Sequence, residues 1–94
     1  MTTVWLVAEI RRDWFEVKHI CKTRENAVER WEEIREEMLI RVREMIEYIN
    51  TEYKGVGVTG WLNDEIMLMN IKPGEHCRCD HPDLKEWELE EFVG

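Results

Sequence analysis

Apolar and polar residues alternate through the first two dozen positions, which is typical of β-strands. The segments TVWLVAEI and WFEVKHIC are separated by the polar residues RRD, and this arrangement predicts a hairpin. Successive side chains of a strand point to opposite faces of the sheet, so every second residue of each segment shares a face. In the first strand one face holds Val4, Leu6 and Ala8. In the second strand one face holds Phe15, Val17, His19 and Cys21.

The period then lengthens from two residues to between three and four, which indicates an amphipathic helix. Thr23 stands at the position of an N-cap, and Glu25 in the first turn suits the positive end of the helix dipole. Apolar residues recur over about 26 residues at Ala27, Trp31, Ile34, Met38, Val42, Met45 and Ile49, and Val28, Leu39 and Ile46 widen the stripe. The same spacing fits a coiled-coil seam, but a small sheet needs a helix of this kind as its cover.

A helix of about 26 residues is about 39 Å long, which exceeds the length of a small sheet. We therefore expect the helix either to break near Arg41–Glu44 or to meet a second copy of the chain with its far end. The second possibility predicts a homodimer through Met45, Ile46 and Ile49.

Glycines punctuate the segment after the helix in the spacing G-x-G-x-x-G, at Gly55, Gly57 and Gly60. A dinucleotide-binding loop of this spacing follows a strand and opens a helix, whereas a helix precedes these glycines. We expect a flexible loop or hairpin tip. The continuous apolar run EIMLMNI predicts a buried strand ended by the turn Pro73-Gly74, and EWELEEFV predicts a last strand.

These elements predict one α+β domain over residues 1–94, since a chain of this length has room for a single core. The sheet is expected to be antiparallel with three or four strands, in the chain order β-β-α-β-β. The long helix is expected to pack on one face of the sheet.

The net charge is −8, and acidic residues exceed basic ones most strongly after residue 47, by ten to four. Such a surface repels a phosphate backbone, so direct nucleic-acid binding is not expected, whereas a basic partner protein would be attracted. An ordinary role in solubility is the alternative. The residues predicted to contact a basic partner are Asp83, Glu86, Glu88, Glu90 and Glu91.

All cysteines and histidines lie in two segments, HIC at His19 and Cys21 and GEHCRCDHPD at residues 74–83. Thiolate and imidazole are the ligands that zinc prefers, so the clustering predicts a structural zinc site. Its ligands would be Cys77, Cys79 and His81 or His76, closed by His19 or Cys21. The C-x-C spacing is less typical of zinc sites than C-x-x-C, so a reduced surface loop and a redox pair remain alternatives.

No nucleophile with a suitable base stands out, because the chain has no serine and nothing selects two of its 21 acids as a catalytic pair. We therefore expect a non-enzymatic protein. The chain has no apolar run long enough to cross a bilayer and no signal-peptide pattern at its start, so we expect a cytoplasmic protein without a membrane partner.

The segment from Val4 to Ile34, a strand-turn-strand followed by a capped helix, resembles small phage and archaeal-virus proteins. The most specific shared element is Thr23-x-x-x-Ala27, and WELEEFV near the end also matches in part. The resemblance implies an accessory protein of a mobile element that inhibits or modulates a host machine. It brings no catalytic residue.

The sequence therefore predicts a binding protein, a viral or mobile-element inhibitor that docks an acidic surface on a basic host protein. That host protein would act in defence or in nucleic-acid handling. The alternatives are a small structural zinc protein and a protein that sequesters a small molecule or nucleotide with the loop Gly55–Gly60.

Overall fold

A computed structural model describes residues 2–88 and shows an α+β fold with an antiparallel three-stranded sheet. Its elements are β1 (Thr3–Ile10), β2 (Phe15–Cys21), α1 (Arg24–Glu52), α2 (Thr59–Asn70) and β3 (His81–Glu88). The fold class is as predicted. The predicted order β-β-α-β-β is wrong at its fourth element, since the order is β-β-α-α-β.

The sheet has the strand order β2-β1-β3, with β1 in the centre and antiparallel to both neighbours. The predicted hairpin joins β1 and β2, and its turn is closed by the backbone N–H of Arg11, which donates to the carbonyl of Trp14 at 2.8 Å. Two edges remain, one along β2 and one along β3. The N-terminal hairpin was predictable because both strands alternate and their connection is short.

A β-bulge interrupts β2 and changes which of its side chains share a face. Val7 pairs with His19 but Ala8 pairs with Val17, so Lys18 is the extra residue on the bulged strand. The expectation that Phe15 and Val17 share a face with His19 and Cys21 is wrong for this reason. His19 and Cys21 lie on the face that α1 covers, which we call the inner face, and Phe15, Val17 and Ile20 lie on the opposite outer face.

Helix α1 begins as predicted at Thr23, whose side-chain hydroxyl accepts a hydrogen bond from the backbone N–H of Asn26 at 3.2 Å. Its first half packs on the inner face, where Ala27 and Trp31 are buried with Val7 of β1. The indole Nε1 of Trp31 donates to the carbonyl oxygen of Pro82 at 3.0 Å and so ties the helix to β3.

Helix α1 is continuous over 29 residues and ends where the chain enters left-handed backbone conformations at Lys54 and Gly55. The N–H groups of Tyr53 and Gly55 both donate to the carbonyl of Ile49, which satisfies that carbonyl beyond the last turn. Gly55 therefore serves as a helix terminator. Neither α1 nor α2 meets the length and apolarity required of a membrane-spanning helix.

The segment EIMLMNI lies in helix α2 up to Asn70, with Ile71 as the C-cap, so the prediction of a strand there is wrong. A short continuous apolar run fits a strand and a buried helix equally, and Met and Leu are good helix formers. The helical signal is the pair Trp61 and Leu68, one heptad apart, which both pack on the core of α1. Ile66 and Met69 on the far side are more than half exposed.

Helix α2 covers the half of α1 that extends past the sheet. Ile49 is buried and Ile46 is partly buried against the core, while Met45 is 37% exposed. An ion pair of 3.0 Å between Arg43 Nε and Glu65 Oε2 also joins the two helices. The reason for predicting a homodimer through Met45, Ile46 and Ile49 was an uncovered helix, and α2 removes that reason.

The last strand starts at His81, five residues before the predicted segment EWELEEFV, whose residues from 89 onward lie outside the described part. Pro82 has no backbone N–H and pairs opposite Glu9 on an edge strand, where proline is tolerated. The Cys/His-rich segment is therefore the connection from α2 into β3, and its last histidine belongs to the sheet.

We predict that Trp31→Phe lowers the free energy of unfolding by about 1–3 kcal/mol, because it leaves the buried carbonyl of Pro82 without its donor. Urea denaturation measures the change. Trp14→Phe is the matched control, since Trp14 is 48% exposed, and we expect a change within about 0.5 kcal/mol. Equal losses in both variants would contradict a role for the Trp31 hydrogen bond.

Candidate functional site

The outer face of the sheet is apolar, and neither of the helices in residues 2–88 covers it. Phe15 is 66% exposed and Ile20 67%, although 36% of the residues in the chain are charged. Leu6, Ala8 and Ile10 continue the apolar surface on β1. Exposed apolar patches of this kind mark interaction surfaces in proteins that are otherwise polar.

A shallow groove of about 460 Å³ runs along this outer face. Ala8 lines it together with Leu6 and Ile10, and its small side chain lies between Val17 on β2 and Asp83 on β3. Of the described residues that line the groove, two are charged, Asp83 and Lys85, and their charges are opposite. The groove therefore has an apolar floor and no net charge.

The bulge at Lys18 is what makes the outer face continuous. With unbroken alternation Ile20 would point to the inner face, but the extra residue returns it to the side of Phe15 and Val17. Sequence reasoning missed this surface because no residue type in β2 signals the bulge. A β-branched or aromatic side chain at each of these three positions was the available signal.

A second candidate site surrounds Glu9, whose side chain is only 2% exposed. Its Oε1 accepts hydrogen bonds from Arg11 at 2.9 Å and from Arg41 of α1 at 3.1 Å, and Lys18 Nζ lies 3.8 Å from Oε2. Three cations thus offset the cost of burying one carboxylate. The cluster joins the hairpin to the middle of α1.

A cavity of about 260 Å³ opens beside this cluster, where α1, α2 and the end of the sheet meet. Its apolar lining comes from both helices, and Glu9, Arg11, Arg41, Asp64 and Asp80 supply its charges. The backbone N–H of Arg12 donates to Asp80 Oδ1 at 3.1 Å, which ties the hairpin turn to the loop before β3. The glycines of the Gly55–Gly60 loop do not line this cavity, so the predicted small-molecule site in that loop gains no support from it.

The residues predicted to bind zinc are not brought to one place. His19 pairs with Val7 and His81 with Ile10, three positions apart on β1, so the two histidines lie on opposite faces of the sheet. Within residues 2–88 no three side chains of the metal-ligating types are arranged to hold a metal ion. The zinc site stays a prediction, without support from these positions.

The two cysteines of the C-x-C segment point toward α2. Cys77 Sγ lies 3.4 Å from Met67 Sδ and 3.4 Å from the carbonyl of Cys79, and burial raises the pKa of the Cys77 thiol. A hydrogen bond to the Asp64 carboxylate, followed by partial burial, raises the pKa of Cys79 to about 11. Both shifts favour the protonated thiol, so a metal ion or an oxidant would have to act on these cysteines with loss of that proton.

The acidic residues of β3 are divided between the two faces of the sheet. Glu86 and Glu88 are exposed on the inner side of the edge strand, while Asp83 lies on the outer face and is 14% exposed. Asp83 Oδ1 lies 3.7 Å from His76 Nδ1. Glu90 and Glu91 lie outside the described residues. The predicted partner-binding set is therefore not one continuous surface in the described part.

Helix α1 carries a second acidic surface, which the sequence interpretation counted but did not identify as a site. At 100° per residue its six glutamates project within an arc of about 140°, opposite the buried stripe. All six are exposed. We call this surface the acidic face, and it consists of Glu25, Glu29, Glu32, Glu33, Glu36 and Glu37. The sequence indicates this surface, because glutamates spaced by three and four residues share one side of a helix.

We predict that Glu9→Gln lowers the free energy of unfolding by about 1–3 kcal/mol, because three cations lose their buried partner. The partners are themselves 33–50% exposed, so solvent screening keeps the loss below that of a fully buried pair. Glu16→Gln is the control, since Glu16 is 49% exposed and pairs only with Lys18. Equal losses of unfolding free energy in the two variants, measured by thermal or urea unfolding, would contradict this account.

We also predict that Cys79 is slow to react with iodoacetamide at pH 8, since a pKa of about 11 leaves very little thiolate. Asp64→Asn replaces the charged acceptor with a neutral amide and removes the like charge beside the thiolate, so it should increase the rate at Cys79 by about tenfold or more, because each unit of pKa changes the thiolate fraction tenfold. Peptide mapping by mass spectrometry follows each cysteine separately. Asp13→Asn, at an exposed position in the β1–β2 turn, should leave the rate unchanged.

The described residues thus present three places that can bind another molecule: the outer face, the cavity beside Glu9 and the acidic face. A scan against protein-family models found no match, and comparisons with curated proteins and with solved structures found none either.

Proposed function

We propose that the protein is a non-enzymatic binding protein that docks its acidic face on the nucleic-acid-binding surface of a basic partner protein. The observation that carries this proposal is the density of unpaired negative charge along the first half of α1. The resemblance of residues 4–34 to phage and archaeal-virus proteins adds that the chain is an accessory protein of a mobile element. Its partner is then a host protein, met in the host cytoplasm.

The acidic face resembles one strand of a nucleic acid in its charge spacing. Six glutamates lie between residues 25 and 37, a length of about 18 Å along the helix, or one carboxylate per ~3 Å. One strand of B-DNA carries one phosphate charge per ~3.4 Å. When the positive charges of Arg30 and Arg35 are subtracted, four net negative charges remain, or one per about 4.5 Å of helix. A groove that binds phosphates would therefore meet a comparable field.

Few of these charges are neutralised within the protein. Arg30 pairs with Glu33 at 3.0 Å and Arg35 with Glu36 at 3.2 Å, both at the surface. Among residues 2–88 no ion pair engages the other four glutamates of the face, which are Glu25, Glu29, Glu32 and Glu37. These four carboxylates remain available to a basic partner.

The arrangement also costs the helix some stability. Glu25, Glu29 and Glu32 follow one another by four and three residues, and like charges at these spacings repel by a few tenths of a kcal/mol per pair. Residues that destabilise their own helix and gain no contact elsewhere in the fold are expected at functional surfaces. Glu25 alone gains from the helix dipole, as the acidic residue of the first turn.

The exposed Glu86 and Glu88 remain a second candidate contact, as the charge count after residue 47 suggested. They lie on the edge strand β3, where charged side chains also deter pairing with another strand. That structural role accounts for them without a partner. The acidic face is therefore the stronger candidate for docking.

We predict that the triple variant Glu29→Gln, Glu32→Gln, Glu37→Gln binds its basic partner at least about tenfold more weakly, because charge complementarity drives the association. The immobilised protein is exposed to host lysate, the captured proteins are identified, and each is then eluted with salt and with duplex DNA. A specific partner is one that both agents release. Glutamine keeps the helix propensity of glutamate, so the fold is unaffected.

The matched control is Glu44→Gln, Glu47→Gln, Glu52→Gln, which removes the same charge from the same helix beyond the acidic face. It should retain the partner. Capture that is indifferent to salt, to competing DNA and to the first triple variant would contradict the proposal. Capture lost equally in both variants would indicate a response to net charge alone.

A further inference from the structure

We infer that the outer face of the sheet is a homodimer interface, through which two copies stack face to face. This interface is separate from the Met45, Ile46 and Ile49 surface considered from the sequence.

The outer face exposes more apolar side-chain area than is usual on the surface of a highly charged protein that stays monomeric. An antiparallel sheet with one solvated face normally carries polar residues on it. Here β2 presents Phe15, Val17 and Ile20, all more than 40% exposed. Their burial against another apolar surface is favourable in proportion to the apolar area removed from water.

The opposite charges on the outer face suit a second copy as the occupant. The chain carries a net charge of −8, so two copies repel each other wherever their acidic surfaces approach. The groove on the outer face is the exception, because Asp83 and Lys85 cancel. These two residues are also two positions apart on β3. A two-fold axis through the face allows each lysine to approach the other copy's aspartate.

Shape also fits a two-fold interface. Ala8 in the groove is 6% exposed and Phe15 is 66% exposed, so each copy offers both a recessed apolar position and a projecting ring. In an isologous interface the Phe15 ring of one copy occupies the groove of the other, and the reverse contact follows by symmetry. Two sheets stacked in this way lie about 10 Å apart.

The size of the face predicts a dimer that dissociates on dilution. Three strands spaced by ~4.8 Å and about 26 Å long give a flat footprint of roughly 370 Å² per copy. Two such footprints fall short of the 1,200–2,000 Å² of total area that stable complexes typically bury, even allowing for surface roughness. We expect a dissociation constant in the micromolar range or higher.

The position of the face gives the dimer a role beyond self-association. α1 covers the inner face and its glutamates project away from the sheet, so the acidic face and the outer face lie on opposite sides of the protein. Stacking through the outer faces therefore places the two acidic faces at the far ends of the dimer, beyond the Debye length of about 8–10 Å. A dimer of this kind presents two docking surfaces and can gain avidity on a partner with two sites.

Sedimentation equilibrium from low micromolar to near-millimolar concentration tests the inference on the full chain. We expect a monomer at low concentration and a dimer at high concentration, strengthened by salt because screening reduces the repulsion between copies. Phe15→Glu should weaken the dimer by about tenfold or more, since it replaces the ring that enters the other copy's groove with a charge. Val56→Glu adds the same charge at an apolar position that is 78% exposed, and it should leave the dimer unchanged.

A monomer at every concentration and salt, with circular dichroism showing a folded protein, would overturn the inference. So would a dimer that both variants weaken equally, or one that Phe15→Glu leaves intact. The test is independent of the proposed function, because the Glu29, Glu32 and Glu37 variant should dimerise at least as well as the natural chain. Salt also acts oppositely, weakening the basic partner's binding and strengthening the dimer.

Discussion

The length of α1 relative to the sheet shapes the rest of the structure. A 29-residue helix is about 43 Å long, whereas the eight residues of β1 extend about 26 Å. The apolar stripe continues along the whole helix, so the sheet can cover only part of it. Helix α2 covers the remainder, and residues 59–70 are therefore a second helix and not a fourth strand. The elongated outline of 55 × 25 × 17 Å follows from this arrangement.

The two covering layers meet near the middle of α1, and the charged cluster lies at this junction. Glu9 is the last residue of β1 on the inner face, and Arg41 of α1 contacts it there. Arg11 and Lys18 of the hairpin complete the cluster. An apolar residue at position 9 would face the same open junction. The buried carboxylate instead fixes the register of hairpin and helix, and the cavity beside it exists because α2 and the sheet do not meet closely there.

In the part of the chain that the structure describes, α1 covers one side of the sheet, and this asymmetry produces two different surfaces. The outer face stays apolar and without net charge, while the exposed arc of α1 carries six glutamates. A protein with an apolar side and an acidic side separates association with itself from association with a basic partner. The two interactions also respond to salt in opposite directions, since one is opposed and the other driven by the same negative charge.

Local pattern alone determined the N-terminal hairpin, the Thr23 cap, the long helix and the α+β class, because each depends on residues within a few positions of one another. The acidic face was also implicit in the spacing of its glutamates. Tertiary structure decided the rest. EIMLMNI fits a strand or a helix, and it is helical because the uncovered half of α1 needs apolar cover. The zinc ligands share a chain segment but not a sheet face, because register at β1 separates His19 from His81. The outer face is continuous because Lys18 bulges, and a bulge arises from pairing between strands, which the residues of β2 do not specify by themselves.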